Sequence, residues 1–252
     1  MLLMRKIFFG LIIAAFMWVG PGKAKASPIY NNATDFSVTT GNPAGVWSYG
    51  MLSPGSAPDA SSFTLYATPS VLASGLEVWG QAPGSLPDDV YNPTNMVINP
   101  AGTNPIQPKQ AAFHPGAVGE YSVFRFTSPA AGQYSLSSTF TGIDVVGTTT
   151  DVHVLDNGSS LFAGNINGYL NSASYSTTLN LAVGDRIDFV VGFGADGSFS
   201  NDSTALDATL TRQPSPTPEP TTITMLVSGF LTAGGFHFVR RRRWAAGSTQ
   251  AC

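Results

Sequence analysis

The chain has 252 residues, of which 11% are charged, and its formal net charge at pH 7 is −3. The charges are unevenly distributed: residues 27–219 contain 15 acidic side chains and four basic ones, a formal net charge of −11. Such an acidic segment excludes a basic nucleic-acid-binding face. The single cysteine, Cys252, excludes an intramolecular disulfide, so a domain in this segment depends on its apolar core for stability.

The N-terminus has the three parts of a secretory signal peptide. Arg5 and Lys6 precede an apolar stretch, residues 7–19, and Ala24 and Ala26 supply small residues at the two positions that signal peptidase reads. This pattern predicts a signal peptide over residues 1–26, cleavage before Ser27 and export of the remainder. An uncleaved anchor is the alternative, and the short apolar core disfavours it.

Residues 27–119 form the loop-rich part of a predicted domain that ends at residue 212. Short strands are expected near residues 46–49, 62–66 and 76–79. Residues 81–116 contain seven prolines and are expected to form a long ordered loop over one sheet. The candidates for stacking on a sugar ring are aromatic, and packing in the core is the alternative for them: Trp47, Tyr49, Trp79 and Tyr91.

Residues 120–212 show the alternation typical of half-buried strands. The apolar positions of one parity are Tyr134, Leu136 and Phe140, then Ile187, Phe189, Val191 and Phe193, then Leu206, Ala208 and Leu210. Asp156-Asn157-Gly158 predicts a hairpin turn, and residues 182–185 predict a second turn. The expected fold is all-β, an antiparallel, jelly-roll-like β-sandwich over residues 27–212.

Several segments resemble secreted bacterial jelly-roll domains that bind carbohydrate. They are Gly45-Val46-Trp47-Ser48-Tyr49-Gly50, His114-Pro115-Gly116, the stretch from Phe126 to Tyr134, Leu181-Ala182-Val183-Gly184-Asp185-Arg186-Ile187, and Asn201-Asp202-Ser203-Thr204. The resemblance implies a fold and a broad class of ligand, without naming a sugar.

Few residues have the pattern of a metal or catalytic site. Asp196, Asn201 and Asp202 lie in one loop and are the candidates for a structural calcium ion, with Asp144 and Asp207 as potential neighbours. The preference of Asp and Asn for turns is the alternative explanation. Asp151 and His153 share one strand face, where they are either a catalytic pair or part of a solvated surface. Because no hydrolase or nucleotide-binding motif is present, we expect a protein that is not an enzyme.

The C-terminal end has three parts in a fixed order. Residues 213–220 are a proline-rich linker that ends in Pro218-Glu219-Pro220, and an uncharged apolar run follows over residues 221–239. As a helix this run is roughly 28 Å long, about the thickness of the hydrocarbon core of a bilayer. Arg240, Arg241, Arg242 and Arg243 then predict a cytoplasmic end, so that residues 221–243 span the membrane and residues 244–252 form a cytoplasmic tail.

This order resembles the PEP-CTERM protein-sorting signal. Pro218, Glu219 and Pro220 match its motif, residues 223–239 its helix, and the four arginines its basic end. Two features depart from the family pattern: Thr217 stands where Val is common, and residues 244–252 extend beyond the arginines. The resemblance implies recognition and processing by exosortase, in a species that makes extracellular polysaccharide. An ordinary membrane anchor with a proline-rich linker is the alternative.

Three functional hypotheses follow. The first is an exported, non-enzymatic surface or matrix protein, associated with extracellular polysaccharide and sorted by exosortase after signal-peptidase cleavage. Its folded domain is expected in the periplasm, on an inner-membrane anchor, and at the cell surface or in the matrix after processing. The second hypothesis is a carbohydrate-binding module of the same layer. The third is a secreted hydrolase with an unrecognised site.

Overall fold

The computed structural model of the protein describes residues 26–55 and 57–214. Within these ranges the chain forms 14 β-strands, one short 3-10 helix at Ala60–Ser62 and no α-helix, which confirms the predicted all-β class. No helix of membrane-spanning length and hydrophobicity occurs in this part of the chain. Outside it lie most of the predicted signal peptide, including Ala24, the motif Pro218-Glu219-Pro220, the predicted transmembrane helix and Arg240–Arg243.

The strands form two antiparallel sheets. The eight-stranded sheet has the spatial order β12 (Ser172–Leu181), β9 (Gly132–Gly142), β14 (Thr204–Arg212), β7 (Ala111–His114), β6 (Asp88–Tyr91), β5 (Glu77–Gly80) and β4 (Thr68–Val71), with β1 (Ile29–Asn31) paired to the C-terminal half of β14. The six-stranded sheet has the order β11 (Ser159–Asn165), β10 (Asp151–Asp156), β13 (Arg186–Gly192), β8 (Tyr121–Thr127), β2 (Trp47–Leu52) and β3 (Thr64–Leu65).

The main core lies between the two sheets. Phe124 of β8 contacts Phe113 of β7 edge to face, with ring centroids 5.4 Å apart, and Phe140 of β9 lies near Phe189 of β13 at 6.5 Å. The alternating residues predicted to be buried in β9 and β14, and Ile187, Phe189 and Val191 in β13, are at most 2% exposed. This arrangement is the predicted jelly-roll-like β-sandwich, and strands from both the loop-rich and the regular parts build both sheets.

The predicted hairpin turn is present between β10 and β11. Asn157 and Gly158 both have positive φ, 49° and 87°, and Asp156 pairs with Ser159 across the turn. Two positive φ angles in a two-residue loop match the right-handed twist of the strands that it joins. The second predicted turn, with Gly184 at φ 88°, leads into β13.

The prediction of one long loop over residues 81–116 is wrong, because this segment contains β6 and β7. Each strand has only four residues, and the middle positions of both are buried on the two faces of the sheet. Their sequences therefore lack the alternation that marks a half-buried strand. The connection between them covers the outer face of the sheet and packs Ile98 and Ile106 over a second apolar cluster that includes Val90 and Ala112.

A buried ion pair lies on the outer side of the six-stranded sheet. Arg125 of β8 donates from Nε to Oδ1 of Asp188 at 2.6 Å and from Nη2 to Oδ2 at 2.8 Å, and Asp188 lies on the adjacent strand β13. The two residues are 6% and 1% exposed. Phe63 covers the pair, with its ring centroid 3.7 Å from the guanidinium carbon.

Candidate functional site

The aromatic residues predicted to stack on a sugar are part of the core. Trp47 and Tyr49 are fully buried and Trp79 is 2% exposed, and the rings of Tyr49 and Trp79 stack with centroids 6.0 Å apart. The stacking prediction is therefore wrong for these three residues, because a sugar ring has no access to them. Tyr91 is half-buried and packs against Phe36, at a centroid distance of 5.6 Å.

The loop that contains Asp196, Asn201 and Asp202 is hydrogen-bonded to Thr149. Thr149 Oγ1 donates to Asp196 Oδ2 at 2.8 Å, and its backbone N–H donates to Asp202 Oδ1 at 2.9 Å. Asn201 adopts a left-handed turn conformation, φ 66°. The described residues contain no group of three or more His, Cys, Asp or Glu side chains placed to share a metal ion, so the geometry gives the predicted calcium site no support.

Asp144 and Asp207 were the predicted neighbours of that loop, and of these two Asp144 lies close to Asp202. The charge of Asp144 contributes to raising the pKa of Asp202, whereas Asp207 accepts a hydrogen bond from Asn31 Nδ2, at 3.2 Å, on the outer face of the eight-stranded sheet. Asp202 is fully buried, and its Oδ2 has no hydrogen-bond partner among the described residues. Burial is the main cause that raises its pKa to about 7.

Asp151 and His153 form a close pair on β10. His153 Nε2 lies 2.7 Å from Asp151 Oδ2, and the other carboxylate oxygen accepts the backbone N–H of Gly194 at 2.8 Å. Burial raises the pKa of Asp151, but these hydrogen bonds outweigh it and leave the pKa below its ordinary value. Through the hydrogen bond from Gly194 to Asp151, the pair is connected to the loop that follows β13.

A regular array of hydroxyl groups covers part of the outer face of the eight-stranded sheet. We call this array the hydroxyl face. It consists of ten exposed or half-buried residues: Ser135, Ser137, Thr139 and Thr141 of β9, Ser172, Ser174, Ser176 and Thr178 of β12, and Thr209 and Thr211 of β14. Asp207 is the one charged residue among the outward positions of these three strands.

The strand register gives the hydroxyl face its regular spacing. Ser137 lies opposite Ser176 on one side and Thr209 on the other. The backbone positions that carry these hydroxyls are therefore about 5 Å apart across neighbouring strands and about 7 Å apart along a strand. Thr139 and Ser174 are hydrogen-bonded through their hydroxyls at 2.9 Å. The face was visible in the sequence as the alternation of Ser or Thr with apolar residues in residues 172–181, but we did not predict it.

A second feature, which we call the outer cavity, lies elsewhere on the same outer sheet face. Its volume is about 390 Å³. Its floor is a row of paired side chains from adjacent strands, Val78 of β5, Val90 of β6 and Ala112 of β7. Ile106, from the connection between β6 and β7, and Ile143, which follows β9, add to its aliphatic lining, as do Leu72, Leu76 and Leu86.

One end of the outer cavity is polar. Asp88 and His114 lie opposite each other on β6 and β7, in the row next to the floor, and Asp144 also lines the cavity. Asp144 Oδ2 accepts a hydrogen bond from Thr103 Oγ1 at 3.2 Å. Burial raises the pKa of Asp88 to about 7 and lowers the pKa of His114. No sequence pattern indicated that these residues lie close together, because they come from segments that are distant in the chain.

The raised carboxyl pKa values predict that the protein loses stability as the pH rises from about 4.5 to 7.5. An unfolded Asp has a pKa near 3.9, so between pH 4 and 7 folded Asp88 and Asp202 hold protons that the unfolded chain has released. The free energy of unfolding then falls with rising pH, by up to about 1.4 kcal/mol per pH unit for each of the two carboxyls. Urea unfolding at several pH values measures this slope.

Asp202→Asn is the matched control for the pH experiment. The amide imitates the neutral carboxyl and cannot ionise, so the variant should show a shallower slope and exceed the wild type in stability at pH 7.5. A wild-type stability that increases between pH 4.5 and 7.5 would contradict the assignment of protonated, buried carboxyls.

Comparison with known proteins gives similarity in structure only, since no protein-family model and no curated protein matches the chain. Among solved structures, the chain is similar to CBM51 from Clostridium perfringens GH95 in complex with methyl-galactose, at 17% identity over 59% of this chain and 95% of that chain, with a TM-score of 0.32. It is similar to a family 35 carbohydrate-binding module from Clostridium thermocellum at 13% identity over 57% and 98%, with a TM-score of 0.27.

A third similar structure contains the CBM51-2 and INT domains of Clostridium perfringens ZmpB in complex with GlcNAc, at 15% identity and a TM-score of 0.31. The match covers 46% of this chain and 24% of that chain, so it spans about a quarter of the ZmpB structure. Similarity at these scores is no basis for assigning a ligand to the present chain.

Proposed function

We propose that this chain is an exported, non-enzymatic surface or matrix protein that associates with extracellular polysaccharide. In this proposal signal peptidase removes residues 1–26, and the arginine cluster holds the C-terminus in the cytoplasm. Exosortase then recognises Pro218-Glu219-Pro220 and processes the tail. The order of charged, apolar and proline-rich segments at the two ends of the chain supports this route of delivery.

The observation that carries the binding part of the proposal is the hydroxyl face. Each Ser or Thr hydroxyl both donates and accepts hydrogen bonds, as the hydroxyls of a sugar do. The strands hold these groups in fixed rows, and short side chains lose little conformational entropy when a ligand orders them. The face carries a single carboxylate, Asp207, although the domain is strongly acidic, so a neutral glycan meets little unfavourable desolvation there.

The binding proposal is tested by removing four hydroxyls from the centre of the face. The variant Ser137→Ala, Thr139→Val, Ser174→Ala and Ser176→Ala keeps the strand pattern while deleting the hydrogen-bonding groups. We expect its affinity for the polysaccharide of the producing cell to fall at least about tenfold, since each lost hydrogen bond contributes about 1 kcal/mol. Affinity electrophoresis in a gel containing that polysaccharide measures the change.

A matched control removes hydroxyls from a different sheet. Ser159→Ala with Ser160→Ala alters two exposed residues of β11, in the six-stranded sheet, and should leave retention by the polysaccharide unchanged. Equal retention of the wild type and the four-residue variant would exclude the hydroxyl face as the binding surface.

The carbohydrate-binding module is the second candidate function, and the same face would serve it. The two candidates differ in selectivity: a module binds one defined glycan in preference to others, whereas a matrix protein is retained by the bulk polymer. Glycan-array binding separates them. Hydrolysis of the polysaccharide by the purified protein would instead establish the secreted hydrolase.

A further inference from the structure

We propose that the outer cavity binds a small organic amine, a compact aliphatic body with one ammonium group that pairs with Asp88. This site is separate from the hydroxyl face and does not depend on polysaccharide binding. The inference rests on three properties of the cavity: its size, its aliphatic floor and the charge of its polar end.

Size and lining define the body of the ligand. A volume of about 390 Å³ falls at the lower end of the range of small-molecule sites. The floor of Val78, Val90 and Ala112 and the walls of Ile106 and Ile143 are aliphatic. Burying an aliphatic body against them is favourable by about 25 cal/mol per Å² of apolar surface removed from water.

The polar end defines the charge of the ligand. Two carboxyl side chains, Asp88 and Asp144, line the cavity, and no Lys or Arg of the described residues does. Asp144 already accepts hydrogen bonds from Thr103 Oγ1 and from the backbone N–H of Val146. The carboxyl group of Asp88 makes no hydrogen bond within residues 26–55 and 57–214, so it is the acceptor available to a ligand.

His114 favours the same class of ligand. Its Nδ1 lies 2.8 Å from the carbonyl oxygen of Pro115, so Nδ1 carries the proton and Nε2 is left as an acceptor. Burial lowers the pKa of this imidazole, which favours its neutral form. A carboxylate ligand would meet two carboxyls and no cationic partner, and an alcohol would lack the charge that strengthens a hydrogen bond to Asp88.

Binding of an amine is linked to the proton on Asp88. Burial holds the pKa of this carboxyl at about 7, and an ammonium group beside it favours the ionised form. The other titratable groups at this end are His114 and Asp144, which line the cavity, and Asp89, which faces the opposite side of β6. An amine bound at pH 7 is therefore expected to release about half a proton from the site.

The test compares three probes of the same shape, namely cyclohexylamine, cyclohexanol and cyclohexanecarboxylate. Each is titrated into the full-length protein in a non-ionic detergent by isothermal calorimetry, in two buffers of different ionisation enthalpy. We expect saturable binding of the amine, roughly tenfold weaker binding of the alcohol, no binding of the carboxylate and a heat of amine binding that depends on the buffer.

Three variants make the assignment specific. Asp88→Asn should weaken amine binding roughly tenfold and leave alcohol binding unchanged. Ala112→Leu, which fills the floor of the cavity, should weaken binding of both probes. Asp207→Asn removes a carboxylate from the hydroxyl face instead, and it should change neither amine binding nor alcohol binding. Absence of saturable amine binding, equal affinity for amine and alcohol, or full amine affinity in Asp88→Asn would each overturn the proposal.

Discussion

Replacing Asp188 with Ala is expected to destabilise the protein by about 3–5 kcal/mol, because it leaves the guanidinium group of Arg125 buried without its counter-charge. Asp188 supplies both carboxylate oxygens to that group, and the remaining acceptor of Arg125 is the carbonyl oxygen of Ala60, at 3.3 Å from Nη2. The covering ring of Phe63 restricts access of water to the cation. A loss of this size is a large fraction of the stability of an ordinary domain.

The double variant Arg125→Met with Asp188→Leu is the control for this prediction. Replacing both charges with apolar side chains leaves no uncompensated ion, so the double variant should be clearly more stable than Asp188→Ala. Urea denaturation of the three proteins measures the difference. If Asp188→Ala lost no more stability than the double variant, the cost predicted for an unpaired, buried Arg125 would be contradicted.

Replacing Arg240–Arg243 with Gln is expected to abolish the membrane orientation proposed for the C-terminus. Each arginine resists translocation, and on insertion scales an arginine at the bilayer centre costs about 2.5–3.5 kcal/mol. Without them the moderately apolar run over residues 221–239 has no charge at its cytoplasmic end to stop transfer. A reporter fused after Cys252, active on only one side of the membrane, measures the orientation.

Four lysines at the same positions are the matched control for the arginine replacement. Lysine keeps the charge and loses the guanidinium group, so this variant should retain the wild-type orientation. Wild-type orientation of the glutamine variant would show that the arginines do not determine the topology.

Many of the strands that the sequence predicted have one apolar and one polar face. In β9, the buried Tyr134 and Leu136 alternate with exposed or half-buried Ser and Thr, so the strand and its inward face are visible in a short window. The turn at Asn157-Gly158 was also predictable from a short window, because two residues that tolerate positive φ occur between two such strands.

The parts that were missed depend on distant contacts. Asp88 and Val90 are covered by a connection that is itself irregular, so the four residues of β6 carry no periodic signal. Trp47 and Trp79 are typical of sugar platforms by residue type alone, and only the position of each strand in the sandwich shows that both face the core. Asp202 is held by Thr149, 53 positions earlier in the chain, a contact that no local pattern indicates.

The most direct test of the proposed sorting is the processing of Glu219→Ala in a host that contains exosortase. The substitution alters the motif and leaves residues 221–243 unchanged, so the variant should insert in the membrane like the wild type. If the tail is a sorting signal, the wild type is converted to a shorter, released form, and Glu219→Ala accumulates unprocessed in the inner membrane. Immunoblots of membrane and extracellular fractions measure both. Processing and release of Glu219→Ala at the wild-type level would contradict the sorting claim and support a plain membrane anchor.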